Sequence, residues 1–183
     1  MRTAEHDIPL HALRRDDLDE GARTLSAAFA EDPLYQFLLP DALRRRQWLE
    51  LIMTTMLQQT LSSELTFVPD QGARLGVIGA LPPGSHPSPL KKVGVMLRKM
   101  PRGFLLSWRL FRSGLGFLRA IEKARPKWPH YYIQIIGVHP KHKGAGIGGN
   151  LLRHVLTLVD EAQLPVYLET SNEVNRYRLK TVA

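Results

Sequence analysis

Apolar and polar positions recur with two different periods along this 183-residue chain, and the changes of period mark out its elements. Ile8-Pro9-Leu10-His11-Ala12-Leu13 reads as a short edge strand, a setting that tolerates Pro9. Asp16-Asp17-Leu18-Asp19-Glu20 then places carboxylates where the start of a helix favours negative charge. Leu18, Ala22, Leu25, Ala28 and Phe29 follow at helical spacing, and Asp32-Pro33 breaks the helix. Tyr35 to Leu39 is a short apolar segment closed by Pro40. A second helix is expected from Asp41 to Leu61, with Leu43, Trp48, Leu51, Ile52, Met56 and Leu57 as its stripe and Arg44, Arg45 and Arg46 facing out.

The period then shortens to that of a strand. Glu64–Pro69 and Arg74–Leu81 read as two strands joined through Asp70-Gln71-Gly72, and the proline-rich run from Pro82 to Pro89 ends the second as a surface loop. Residues 90–124 read as one or two basic helices broken near Pro101-Arg102-Gly103. Pro126-Lys127-Trp128-Pro129 halts the chain before a β-rich run, Tyr131 to Val138. Residues 146–163 carry Ile147, Leu151, Leu152, Val155, Leu156 and Val159 as a helical stripe. Leu164-Pro165 stops that helix, and Val166–Glu169 is a final short strand. The chain shows no internal repeat and no low-complexity tract.

Composition narrows the class. Length and apolar fraction, 44%, suit one domain with a substantial core. No run of about 18 uncharged apolar residues suggests a membrane span, and the N-terminus lacks an apolar signal region. Cysteine is absent, which excludes disulfides, thiolate metal sites and a cysteine nucleophile and fits a cytoplasmic setting; no metal is expected. The net charge of +8 is concentrated between Lys91 and Lys127, where Glu122 is the one acid. Such a segment is either the solvated face of amphipathic helices or an attractor of an anionic partner.

Chemistry concentrates in Lys143-Gly144-Ala145-Gly146-Ile147-Gly148-Gly149, set between a strand and a helix. Glycines let the backbone turn tightly and approach a ligand closely. The unpaired N–H groups of the helix's first turn and its dipole then form an anion site for which a diphosphate is the natural occupant. A Walker loop requires Gly-Lys-Ser/Thr, but Gly149-Asn150-Leu151 follows here. The dinucleotide pattern Gly-x-Gly-x-x-Gly is met by Gly144–Gly149, yet no second parallel unit with an acidic ribose ligand follows.

The fuller string Ile135-Ile136-Gly137-Val138-His139-Pro140-Lys141-His142-Lys143-Gly144-Ala145-Gly146-Ile147-Gly148-Gly149-Asn150-Leu151-Leu152 resembles the GNAT superfamily of acyl-CoA-dependent N-acyltransferases. The family signature, Gln/Arg-x-x-Gly-x-Gly/Ala after a strand, maps to Lys143-x-x-Gly146-x-Gly148, and Leu168-Glu169-Thr170-Ser171-Asn172-Glu173-Val174-Asn175 is similar to its next strand and asparagine-bearing loop. The match covers residues 131–175. It implies an α+β fold with a mixed, mostly antiparallel central sheet flanked by helices. The whole of 1–183 would form one domain: helices and hairpin over 1–127, the cofactor strand-loop-helix over 131–163, and a final strand and tail over 166–183. It further implies that the backbone of Ile136, Gly137 and Val138 pairs with the pantetheine arm of acetyl-CoA. The N–H groups of Gly144, Ala145, Gly146, Ile147, Gly148 and Gly149, with Lys143, would hold the pyrophosphate, and Asn172 or Asn175 would touch the cofactor.

Lys143 departs from the family's Gln or Arg; it keeps a cation but lacks a planar fork. For the chemistry, a general base could be Glu169, His130 or a water chain past Tyr131 and Tyr132. Gln134, inside the strand, could point into the substrate cleft. The position at which many members carry the tyrosine that protonates the leaving thiolate falls on Leu179, with Tyr177 two residues short of it. Glu169 and Tyr177 are therefore the candidate catalytic pair. Residues 176–183 do not resemble the family's last helix and strand: either the terminus is natural and altered, or the chain is truncated. A sheet lacking its closing strand would expose an edge, so a homodimer or a partner covering it is expected. The leading reading is an N-acetyltransferase acting on a primary amine of a small molecule or peptide. The alternatives are an acyl-CoA-binding module with impaired catalysis and a basic nucleic-acid-binding protein. Phe104, Trp108, Phe111 and Phe117 are better explained as helix packing than as base-stacking groups, so neither a nucleic acid nor a membrane is the expected partner.

Overall fold

The computed structural model describes residues 8–85, 116, 119 and 123–170. Among them the order is β1 (Leu10–Ala12), α1 (Leu18–Phe29), α2 (Pro33–Leu38), α3 (Ala42–Leu61), β2 (Thr66–Pro69), β3 (Gly76–Leu81), β4 (Tyr131–Val138), α4 (Ile147–Asp160) and β5 (Val166–Leu168). The strands form one sheet in the order β1-β2-β3-β4-β5. The first four run antiparallel to their neighbours, and β5 runs parallel to β4. The fold is thus mixed α+β, with a mostly antiparallel sheet between two helical layers.

Each face of the sheet has its own core. Leu25 of α1 and Leu49, Met53 and Leu57 of α3 pack with Val77 and Ile135 on one side. Ile147, Leu151, Leu152, Val155 and Val159 of α4 pack with Ile78 and Ile133 on the other. β3 is buried at every position, as its place in the middle of the sheet and its lack of charged residues demand. The β2–β3 turn uses Gly72 at φ +108°, where a side chain would be strained.

Caps explain where the helices begin. Asp32 Oδ1 accepts from Leu34 N at 3.0 Å, with Pro33 in the first turn, so the break after α1 opens a new short helix. Asp41 Oδ1 accepts from Arg44 N at 2.8 Å and starts α3.

The face that α3 presents is turned slightly from the expected stripe. Leu57 is buried and Ile52 and Met56 pack against the same core, but Leu49 and Met53 also point in and Leu43 is 80% exposed. Nor do all three arginines face out: Arg45 is buried, at 9% exposure. Its Nε donates to Ala30 O at 2.9 Å, and its Nη1 donates to Leu39 O at 2.8 Å and Pro40 O at 3.2 Å. One guanidinium therefore ties both ends of the α2 segment to α3, using the fork geometry that lysine lacks. The expected strands and hairpin match closely, and the helix expected over 146–163 is Ile147–Asp160. Most of the basic 90–124 segment, and everything after Thr170, lies outside the described residues.

Candidate active site

The parallel partner of β4 leaves it early. β5 pairs with Tyr131, Tyr132 and Ile133 only, while β3 follows β4 from Tyr132 to Val138. From Gln134 onward, the flank of β4 away from β3 has no ladder among the described residues. His139 N donates to Leu75 O at 2.9 Å on the β3 side. Because backbone groups alternate sides along a strand, Gly137 also faces β3, and the N–H and C=O of Ile136 and Val138 face the gap. Gly137 serves packing instead: a Cβ there would stand 2.7 Å from Leu25 Cδ2 and 3.2 Å from Ala28 Cβ.

A bulge sits where β5 departs. Gly79 pairs with Ile135 and Ala80 with Ile133, leaving Gln134 as the extra residue. Its Nε2 donates to Gln59 Oε1 on α3 at 2.8 Å.

The far end of the gap leads to the glycine loop. Gly144 has φ +91° and Gly146, which precedes α4, has φ +78°, so both need glycine. A Cβ on either would meet nothing within 4 Å among the described residues. Gly148 and Gly149 lie in α4 with ordinary helical φ. The position of a Cβ on Gly148 is 3.4 Å from Val138 Cγ2, which places the helix start against the end of β4. The first intrahelical bond runs from Asn150 N to Gly146 O at 3.0 Å. The N–H groups of Ile147, Gly148 and Gly149 therefore have no acceptor within the helix, and no side chain among the described residues caps it. Ala145 N is engaged with His142 O at 3.3 Å. The first turn of α4 has no acid, and Lys141, His142 and Lys143 are exposed beside it. These features fit a diphosphate.

On the α1–α3 side, where β5 begins to part from β4, aromatic and charged groups gather. The Tyr132 and Tyr167 rings stack at 6.1 Å between centroids. Arg125 Cζ lies 5.1 Å from the Tyr132 ring centroid. Burial pushes the Tyr132 phenol up to about 12, with the charge of Glu169 adding to the rise and Arg125 opposing it. Tyr167 is raised too, by desolvation first and then by Glu169, to which its hydroxyl donates. Tyr35 of α2, held against Phe29 at 5.9 Å, has its phenol raised by burial, then by Asp32, with a contribution from Tyr132. His130 is buried, its Nδ1 2.7 Å from Trp128 O and its ring edge-on to Tyr167 at 5.5 Å. Its surroundings are those of a strand-entry residue.

Of the residues singled out from sequence, Ile136 and Val138 lie on β4 beyond its pairing with β5, Gly144–Gly149 lie in the loop and helix start that follow, and Glu169 comes directly after β5. Asn172, Asn175 and Tyr177 lie outside the described residues. The Gln134–Gln59 contact has no local sequence signal, because its partners lie 75 positions apart. The burial of Arg45 has none either, because it depends on how the chain between Ala30 and Pro40 folds back onto α3.

The acetyltransferase (GNAT) family model matches residues 45–180. Solved structures share the fold at low identity. The structure of histone acetyltransferase HPA2 and related acetyltransferase from Corynebacterium glutamicum is 17% identical with a TM-score of 0.65, covering 94% of this chain and 82% of that one. Arylalkylamine N-acetyltransferase 2 from Aedes aegypti is 15% identical with a TM-score of 0.68, covering 96% and 81%. An agmatine N-acetyltransferase is 18% identical with a TM-score of 0.63, covering 97% and 82%. The strand that parts from its neighbour, the glycine loop it feeds and the family match agree, and the chain belongs to the GNAT family of acetyltransferases.

Proposed function

We propose that the protein transfers an acetyl group from acetyl-CoA to a primary amine of a small molecule or peptide. The observation that carries this reading is the flank of β4 that has no partner strand among the described residues, running into the uncapped glycine start of α4. Ile136 and Val138 offer extended backbone to the pantetheine arm. The N–H groups of Gly144, Gly146, Ile147, Gly148 and Gly149, with Lys143, hold the pyrophosphate, and Asn172 or Asn175 would touch the cofactor. Acetyl-CoA supplies the thioester: the nitrogen–carbon bond forms, the carbon–sulfur bond breaks, and a proton lost by the nitrogen ends on the sulfur.

The chain's own groups manage charge around that exchange. A backbone N–H of Ile136 or Val138 faces the developing negative charge on the carbonyl oxygen. Glu169 takes the proton from the amine. Tyr177 is the tail's candidate donor to the thiolate. Leu179, where many members carry that tyrosine, favours a second reading: a domain that binds acetyl-CoA without turning it over.

The test is release of free thiol and of acetylated product from acetyl-CoA across an amine panel that includes phenylethylamine and agmatine. Turnover that falls about 100-fold in Glu169→Gln supports the proposal, in line with the usual contribution of a general base. Tight acetyl-CoA binding with no product from any amine supports the second reading.

A further inference from the structure

Gln134 carries an atom that the fold leaves unused. Its amide offers two N–H donors and one carbonyl-type acceptor. Nε2 is engaged with Gln59, while Oε1 is buried and has no hydrogen-bond partner among the described residues. Buried acceptors without partners are rare in folded proteins, because each has given up water without replacement. Leucine or methionine would fill the same space without that cost.

The location supplies a reason for keeping the amide. Gln134 is the bulged residue of β4, next to Ile133, where pairing with β5 ends. Tyr131 packs against the α4 core, so Tyr132 points to the opposite face, and the bond to Gln59 of α3 turns Gln134 to that face too. Tyr132, Tyr167 and Glu169 interact on that same side. Gln134 and Glu169 thus each follow the last β4–β5 pair, Ile133 with Leu168, on the same side of the sheet, and the glutamine is held there by a bulge and a second glutamine.

Resting on the acetyltransfer proposed above, we infer that Gln134 Oε1 accepts a hydrogen bond from the attacking amine and selects primary amines over N-substituted ones. An amine that aims its lone pair at a carbonyl carbon turns its N–H bonds away from that carbon. A primary amine has one N–H for Gln134 and another for Glu169. A secondary amine has one in all, so one of the two acceptors stays unpaired. Being neutral, the amide oxygen also pairs with the nucleophilic, uncharged amine without the strong preference for ammonium that a second carboxylate would add.

The experiment compares wild type, Gln134→Leu and Gln134→Glu with acetyl-CoA and either phenylethylamine or N-methylphenylethylamine, while calorimetry follows acetyl-CoA binding. The inference predicts that Gln134→Leu lowers kcat/KM for phenylethylamine at least tenfold. It also predicts that the primary-to-secondary ratio falls by a similar factor and that the acetyl-CoA Kd stays within twofold. Gln134→Glu, which keeps an acceptor at the site, retains most of the wild-type ratio. An unchanged ratio in Gln134→Leu, whatever happens to the absolute rate, overturns the inference. So does a wild type that binds acetyl-CoA but acetylates neither amine. A wild type that binds no acetyl-CoA instead refutes the acetyltransfer reading, and calorimetry reports that separately.

Discussion

Leu25 occupies the space that a side chain on Gly137 would fill: a Cβ there would stand 2.7 Å from Leu25 Cδ2. This lets α1 lie directly on β4 at the strand that borders the candidate active site. Gly137→Ala is therefore expected to destabilise the fold by about 1–3 kcal/mol, the usual range for an overpacked core. Leu25→Ala costs more alone, but the double variant should lose less than the sum, because the small residue makes room for the new methyl. Chemical denaturation of the four proteins measures this, and strict additivity would contradict the contact.

Arg45 gives a second test of how the α2 segment is held. Replacing it with Met leaves the carbonyls of Ala30, Leu39 and Pro40 without their donor, at a cost of about 1–3 kcal/mol. Arg45→Lys should recover little, since one ammonium cannot reproduce the divergent fork. The accompanying sign is faster proteolytic cleavage between residues 30 and 40, read by mass spectrometry of the fragments.

Gly148 should separate stability from binding. It sits within α4 at ordinary helical φ, so Gly148→Ala is expected to stabilise the helix by up to about 1 kcal/mol. If the N–H groups of this turn take a pyrophosphate at close range, the added methyl weakens acetyl-CoA affinity in the same variant. A thermal melt and a binding isotherm moving in opposite directions would bear this out; parallel movement would not.

Tyr132 makes stability depend on pH at the alkaline end. Its folded value of about 12 lies above the ordinary 10.0, so between these values the unfolded chain loses the proton first. The stabilising contribution is complete below pH 10 and is lost as pH rises through 12. Tyr132→Phe should therefore flatten the fall in unfolding free energy over that window relative to wild type. Identical slopes in the two proteins would contradict the buried, neutral phenol.

Local patterns were legible from sequence, and distant partnerships were not. The run Tyr131–Val138, the glycines after it and the stripe of α4 are contiguous, so period and turn chemistry locate them without knowledge of the rest. In α3, by contrast, Leu43, Leu51, Ile52 and Met56 compete with Leu49 and Met53 for the inward face on either side of Leu57. Only the position of β3 and α1 decides between them, and it turned the helix so that Leu43 is exposed. Arg45 looks like one of three surface arginines until the carbonyls of Ala30, Leu39 and Pro40 come round to meet it. The bulge at Gln134 is a property of register between β3 and β4, set by residues more than fifty positions apart in the chain.

The central claim is that the gap along β4 and the glycine start of α4 form one acetyl-CoA site, and titration calorimetry with acetyl-CoA tests it most directly. The wild type should bind with one-to-one stoichiometry and prefer acetyl-CoA to ATP and NAD. Gly146→Glu, which forces a side chain into a left-handed position and sets a carboxylate against the pyrophosphate, should abolish the heat of binding. Absence of binding by the wild type, or equal binding by Gly146→Glu, would contradict the account.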